Sequence, residues 1–173
     1  MSLIKSALLL VALLHAHQSS AADTYDGDAS FRAAVSPEGT LRRYFAALDQ
    51  RNRDPDLDLY TPATRHMLRR WQTTETQMAN LINTFRLCRA EKARIDSGRR
   101  FAVIRYPAHQ RQCSPWFFES IDGAWALDLT MMQRAIRFGH NNAWRFERNA
   151  DHPYDFAFVD WTFDSRGFPA SEN

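Results

Sequence analysis

A chain of 173 residues, 45% hydrophobic and with a formal net charge of +2, is long enough for one domain with a real core. Acidic and basic residues nearly balance and their signs are interspersed, which gives no reason to propose nucleic acid or anionic membrane as a partner. Six glycines, with no G-x-S-x-G and no glycine-rich loop, leave no material for a serine-hydrolase elbow or a phosphate cradle.

Residues 1–22 read as a secretory signal. Lys5 supplies the positive start, Ala7 to Leu14 the apolar run, and Ser20-Ala21-Ala22 a small-residue cleavage site. Cleavage after Ala22 starts the mature chain at Asp23 and removes one charge, Lys5, so the net charge falls to +1. No later stretch approaches 18 apolar residues, so no membrane insertion is expected. The location expected is periplasmic or secreted. In that oxidising compartment Cys88 and Cys113, an even and lone pair, are most simply a disulfide. Lys92 is the one mature lysine beside twenty arginines, a skew that codon usage explains without a ligand.

Asp23 to Val35 is small, polar and acidic, and is expected to be a mobile arm. Ser36-Pro37-Glu38 gives a cap, a first-turn proline and a first-turn acid. Leu41, Tyr44, Phe45 and Leu48 then repeat at helical spacing, which predicts a helix from Pro37 to about Arg51. After the loop Arg51 to Asp58, Thr61-Pro62 repeats the start signal. Met67, Leu68 and Trp71 mark a short second helix, and Met78, Leu81, Ile82 and Phe85 a third, with a break at Thr73 to Thr76.

From Arg89 the period changes to two. Arg89 to Asp96 and Arg99 to Pro107 are expected strands. Cys113 to Leu129 is a hairpin, because Asp122-Gly123 suits a tight turn needing positive φ at both central residues. The order is three helices, then four antiparallel strands in a meander. A short helix from Met131 to Phe138 should end at Gly139, with strand-like spacing at Trp144 and Phe146. Asp151 to Asp164 reads as an aromatic strand with a phase switch at Val159-Asp160. Residues 36–168 are then one domain, and 169–173 a fraying tail.

LRRYFAALDQ, RFAVIRYP and PWFFESIDGAWALDL, in that order, resemble the NTF2-like superfamily over residues 36–130. The resemblance implies an α+β fold: three N-terminal helices packed on a strongly curved antiparallel sheet, a cone, here followed by an aromatic-rich extension. Members of that superfamily use the cone for catalysis, for small ligands or for protein association, so the fold does not select a function.

Two functions compete. A carboxylate-using enzyme, isomerase-like or hydrolase-like, would draw on Tyr44, Tyr106, Asp128 and Asp160, although Asp128 alternates with Leu127 and Leu129 as a solvent-facing strand residue does. A non-enzymatic binding module would draw on the aromatics crowded between Trp144 and Phe168, beside Arg137, Arg145 and Arg148. The same rings could instead complete the core. The binding module is the favoured reading, for example an inhibitor or immunity protein, with Tyr44, Arg105, His140, Trp144, Arg145 and Trp161 as its candidate residues. Among the histidines His140 draws most attention, because polar residues crowd it next to Trp144, whereas His152 precedes a proline in an apparent turn. No two mature histidines lie at i, i+3 or i+4, so no metal and no cofactor are expected. The expected partner is a small apolar ligand or an extracytoplasmic protein, with a homodimer as a further option and no nucleic acid.

Overall fold

The computed structural model of the protein describes residues 31–147 and 150–172; the expected signal sequence and most of the expected N-terminal arm lie outside them. The described chain is α+β. Helices α1 (Pro37–Asp49), α2 (Pro62–Arg70) and α3 (Glu75–Phe85) precede strands β1 (Arg94–Ile95), β2 (Phe101–Ile104), β3 (Trp116–Ile121) and β4 (Ala124–Leu127). Helix α4 (Leu129–Ala135) follows, then β5 (Ile136–Phe138), β6 (Trp144–Phe146), β7 (Trp161–Phe163) and β8 (Pro169–Glu172). Strands β1 to β4 form one antiparallel sheet in sequence order, and β5–β6 and β7–β8 are separate two-stranded ribbons.

The helix starts obey capping chemistry. Ser36, Thr61 and Thr74 each accept a backbone N–H of their own first turn, and Gln77 returns the bond to Thr74. The β3–β4 turn has Asp122 at φ 50° and Gly123 at φ 82°, the left-handed pair that the Asp-Gly sequence supplies. β1 is only two residues long, so the first strand of the meander is shorter than its sequence pattern.

Consecutive residues of β3 are buried on opposite faces. Trp116 and Phe118 pack toward the helices with Ala102, Ile104, Trp125 and Leu127, and with Tyr44, Leu48 and Met78. Phe117 and Val103 point the other way, into a second cluster with Ile136, Trp144, Tyr154, Phe158 and Trp161. A sheet apolar on both faces needs two covers, and the C-terminal segment is the second.

The outer edge of β4 is also covered. Trp125 N donates to the Ala34 carbonyl at 2.8 Å and Leu127 N to that of Leu59 at 2.8 Å. Thr40, fully buried, donates through its hydroxyl to the Trp125 carbonyl at 2.6 Å and accepts from Ala34 N at 2.7 Å. Residues 31–35, expected to be part of a mobile arm, therefore dock as an edge guard.

The C-terminal half departs most from the sequence reading. Asp155–Phe158 is a turn of 3-10 helix where a strand was expected. Tyr154, Ala157 and Phe158 are the buried residues there, a helical i, i+3, i+4 set that the alternation of Tyr154, Phe156 and Phe158 obscures. The expected fraying tail pairs with β7 as β8, reaching Glu172. Gly167 makes its turn possible: at φ 87° it packs so closely on the Phe146 carbonyl oxygen that a Cβ there would clash with it, and this approach closes β6 onto the ribbon.

Cys88 and Cys113 are bonded, with their Cα atoms 5.9 Å apart, and tie the end of α3 to the β2–β3 connection. The bridge closes a loop of 25 residues, worth about 3.5 kcal/mol in the chain-entropy model. Thiol titration of the denatured, unreduced protein should find no free thiol, and reduction should lower Tm by roughly 10 °C for a domain of this size. Two free thiols, or an unchanged Tm on reduction, would remove the bridge from the account.

Candidate functional site

The space between helices and sheet is filled by rings. Trp116 sits at its centre, with ring centroids 4.9 Å from Phe85, 5.5 Å from Tyr44 and 5.7 Å from Phe45. Its indole Nε1 donates to the Tyr106 hydroxyl at 3.1 Å. Burial pushes the Tyr44 and Tyr106 hydroxyls above their ordinary pKa, so both stay neutral. Tyr44 also lines a cleft of about 20 Å³ near Asn52 and Gln72, which holds little more than a water molecule. No carboxylate belongs to the buried set on this side among the described residues.

Asp128 was expected to face solvent, and it does not. Its Oδ1 caps α4 by accepting from Met131 N at 3.0 Å, and its Oδ2 accepts from the Tyr154 hydroxyl at 2.9 Å. Tyr154 is fully buried, stacked on Phe117 at 4.2 Å, and burial followed by the neighbouring Asp128 charge raises its pKa. The pair fastens the cover to the sheet end.

Arg105, just past β2, forms a second fastening. Its Nε donates to Glu91 Oε2 at 2.6 Å, its Nη1 to the Ala157 carbonyl at 2.8 Å and Asp160 Oδ1 at 2.7 Å, and its Nη2 to Asp160 Oδ2 at 2.8 Å. Its guanidinium lies 4.7 Å from the Trp161 ring centroid. Arg94 donates to both oxygens of Asp160 as well, at 3.1 and 2.6 Å. The hydrogen bonds from Arg105, chiefly, hold the Asp160 carboxyl well below the usual carboxylate range.

The sequence candidates therefore separate. Arg105, Trp144 and Trp161 come together, the two indoles 6.2 Å apart, but all three are buried as parts of the second core and offer no exposed patch. Tyr44 lies on the opposite side of the sheet. Arg145 is half-buried and donates to the Phe146 and Arg166 carbonyls at 3.3 and 3.4 Å. His140 is exposed, in the 3-10 turn His140–Asn142.

One open concavity lies on the cover itself. A groove of about 390 Å³ runs between β6, the 3-10 turn and β7, lined by Phe146, Glu147, Ala150, His152, Asp155, Phe158, Val159, Trp161, Phe163 and Gly167. Val159 is 79% exposed on its rim, and Asp155 carries an 80% exposed carboxylate. His152, passed over in the sequence for its place in a turn, is the buried histidine at this groove. Its signal was the aromatic density on both sides, which makes a neighbouring ring core rather than surface. Among the described residues there is no cluster of three or more His, Cys, Asp or Glu able to hold a metal ion.

Comparison of the chain with protein-family models, with curated proteins and with solved structures finds no match.

The Asp160 geometry gives a pH dependence with a definite sign. A carboxyl whose pKa falls on folding adds stability that is fully present above the unfolded range, about pH 4, and is lost progressively as pH drops from there through the lower folded value. Asp160→Asn should flatten that acid loss. Arg105→Met should cost about 3 kcal/mol at neutral pH, the lower end for breaking a buried pair, since both carboxylates keep some water. Denaturant unfolding from pH 7 to pH 3 measures both; an Arg105→Met variant as stable as the parent would show that the network does not hold the cover.

Proposed function

We propose that the chain is a periplasmic or secreted, non-enzymatic binding module of NTF2-like type that takes a small apolar ligand or another protein at the groove on its C-terminal cover. The observation that carries this reading is where free space lies. The volume that a cone enzyme would use for substrate is packed with Trp116 and its ring neighbours. The groove, by contrast, combines aromatic walls with the polar Glu147, His152 and Asp155 and an exposed rim, and its volume falls within the range of about 300 to 1,000 Å³ usual for ligand sites.

The extracytoplasmic half of the proposal draws on the leader sequence and on the Cys88–Cys113 bond, which such a compartment sustains. No helix among the described residues is long and apolar enough to cross a membrane. The enzymatic alternative has weaker support. Its carboxylates, Asp128 and Asp160, are committed to Tyr154 and to two arginines, and the groove lining contains no serine, threonine or cysteine nucleophile. An inhibitor or immunity protein that occludes a toxin or hydrolase is one concrete form of the favoured reading.

Because Trp144 and Trp161 are core, the substitutions that test the groove are exposed ones. Val159→Glu, which leaves the interior untouched, should abolish retention of whatever the mature protein captures from an extracytoplasmic extract. Trp71→Ser, an exposed change at the end of α2, should leave retention intact. Equal retention by Val159→Glu and the parent would remove the groove from the proposal. N-terminal sequencing of the recovered protein should read from Asp23; a start at Met1 would contradict the location.

A further inference from the structure

His66, His109 and His140 are exposed, and His152 alone among the described histidines is buried, with 4% of its side chain accessible. Its ring lies among three others, with centroids 5.2 Å from Phe146, 5.8 Å from Phe117 and 6.5 Å from Tyr154. It is thus wedged where the cover meets β3 and β6. Nε2 is 3.4 Å from Asp155 Oδ1, while Nδ1 is buried with no hydrogen-bond partner among the described residues. A neutral imidazole tolerates one unpaired nitrogen, as an acceptor. An imidazolium carries N–H on both nitrogens, and here one of them would point a charged donor into rings.

We propose that His152 is an acid-sensitive latch: its protonation releases the segment from Ala150 to Phe158 from the outer face of the sheet and thereby reshapes the groove. The imidazolium has a better position just outside. Asp155, largely in water on the groove side, offers it a charge-assisted hydrogen bond once the ring swings out from beneath Phe146 and Phe117. The ring that leaves was packing against Tyr154 and Phe117, so their contact with the cover loosens with it.

The charges around the latch are few. Asp151 on its own segment and Asp155 on the 3-10 turn favour the cation. From β6, Glu147 lines the same groove but is paired with Arg137 at 3.2 Å. From β3, Phe117 presents no charge, and Glu119, with Arg100 just before β2, acts on Tyr154, whose hydroxyl is already held by Asp128. Against the two aspartates stands burial, the largest influence, and it leaves the His152 pKa below the ordinary histidine value of 6.5. The sign follows. A pKa lowered by folding gives a contribution to the closed state that is intact above about pH 6.5 and is lost as pH falls below it. This window lies above the pH, about 4, at which the Arg105–Asp160 contribution only begins to decline, so the two steps separate on a pH axis.

The conformational step needs no ligand; its effect on binding rests on the groove reading of the preceding subsection. The test is hydrogen exchange of the mature protein between about pH 7.5 and pH 5, corrected for intrinsic rates, with the imidazole proton signals followed by NMR on the same samples. His152 should titrate below its unperturbed value. Across that titration, exchange in residues 150–163 should quicken by up to about tenfold per pH unit, the limit for one linked proton, while β3 stays protected. His152→Gln, neutral throughout, should lack the step. Should that variant misfold, Asp155→Asn serves instead: removing the carboxylate that favours the cation should move the step to lower pH. A His152 that titrates at or above the unperturbed value, exchange in 150–163 that ignores the titration, or a step that persists in His152→Gln would each overturn the latch. No ligand enters these measurements, so their failure is distinct from failure of the groove.

Discussion

β3 sends Trp116 and Phe118 to one side of the sheet and Phe117 to the other, and no arrangement of a four-stranded meander can hide all three rings by itself. Each would expose a large apolar area if uncovered, at a cost on the order of 2 kcal/mol or more per ring. The helices solve one side, with Tyr44, Phe45 and Phe85 meeting Trp116. The other side is solved by chain that comes after the hairpin, and that requirement explains why the protein continues past Leu129. Tyr154 stacks on Phe117, and its hydroxyl and the Arg105 guanidinium then fix the cover to the sheet at Asp128 and Asp160. Ring contacts supply the area, and the two polar fastenings fix the position.

How much of this could be read from residues alone depends on which forces act locally. Ser36-Pro37, Thr61-Pro62 and Asp122-Gly123 state their structure within four residues, because caps and tight turns are decided by neighbouring backbone groups. The hairpin and the starts of α1 and α2 were legible for that reason, and the disulfide because only two cysteines were there to pair. The stretch from Pro153 to Phe163 was not. With five aromatic residues from Tyr154 to Phe163, its pattern fits a period of two and of three or four alike, and only contact with Phe117 and Trp144 chooses the 3-10 turn. Asp128 illustrates the same limit. Its alternation with Leu127 and Leu129 reads as exposed, yet the partner that buries it, Tyr154, lies 26 residues away. Among the site candidates, Arg105 was singled out as a binder and is a clamp, while the signal at His152, the aromatic residues on both sides of it, was outweighed by its place before a proline.

This arrangement separates the residues that hold the cover from those left accessible on it. The residues most suited to a hot spot, Trp144, Trp161 and Arg105, are spent inside the second core, and what remains accessible is the rim they support: Val159, Asp155 and the edges of Phe146 and Phe163. A groove built on a cover is also a groove that moves when the cover does. Under the proposed reading, a buried imidazole beneath it would affect binding in a way that an exposed one, such as His140, would not.

The central claim, that the late aromatic segment is core, is tested most directly by iodide quenching of tryptophan fluorescence in a Trp71→Phe variant. Trp71 is 54% exposed at the end of α2, and Trp116, Trp125, Trp144 and Trp161 are all buried. The account predicts that the parent shows a quenchable fraction and that the Trp71→Phe variant, at neutral pH, shows almost none. Strong quenching in the variant would place Trp144 or Trp161 at the surface and contradict it.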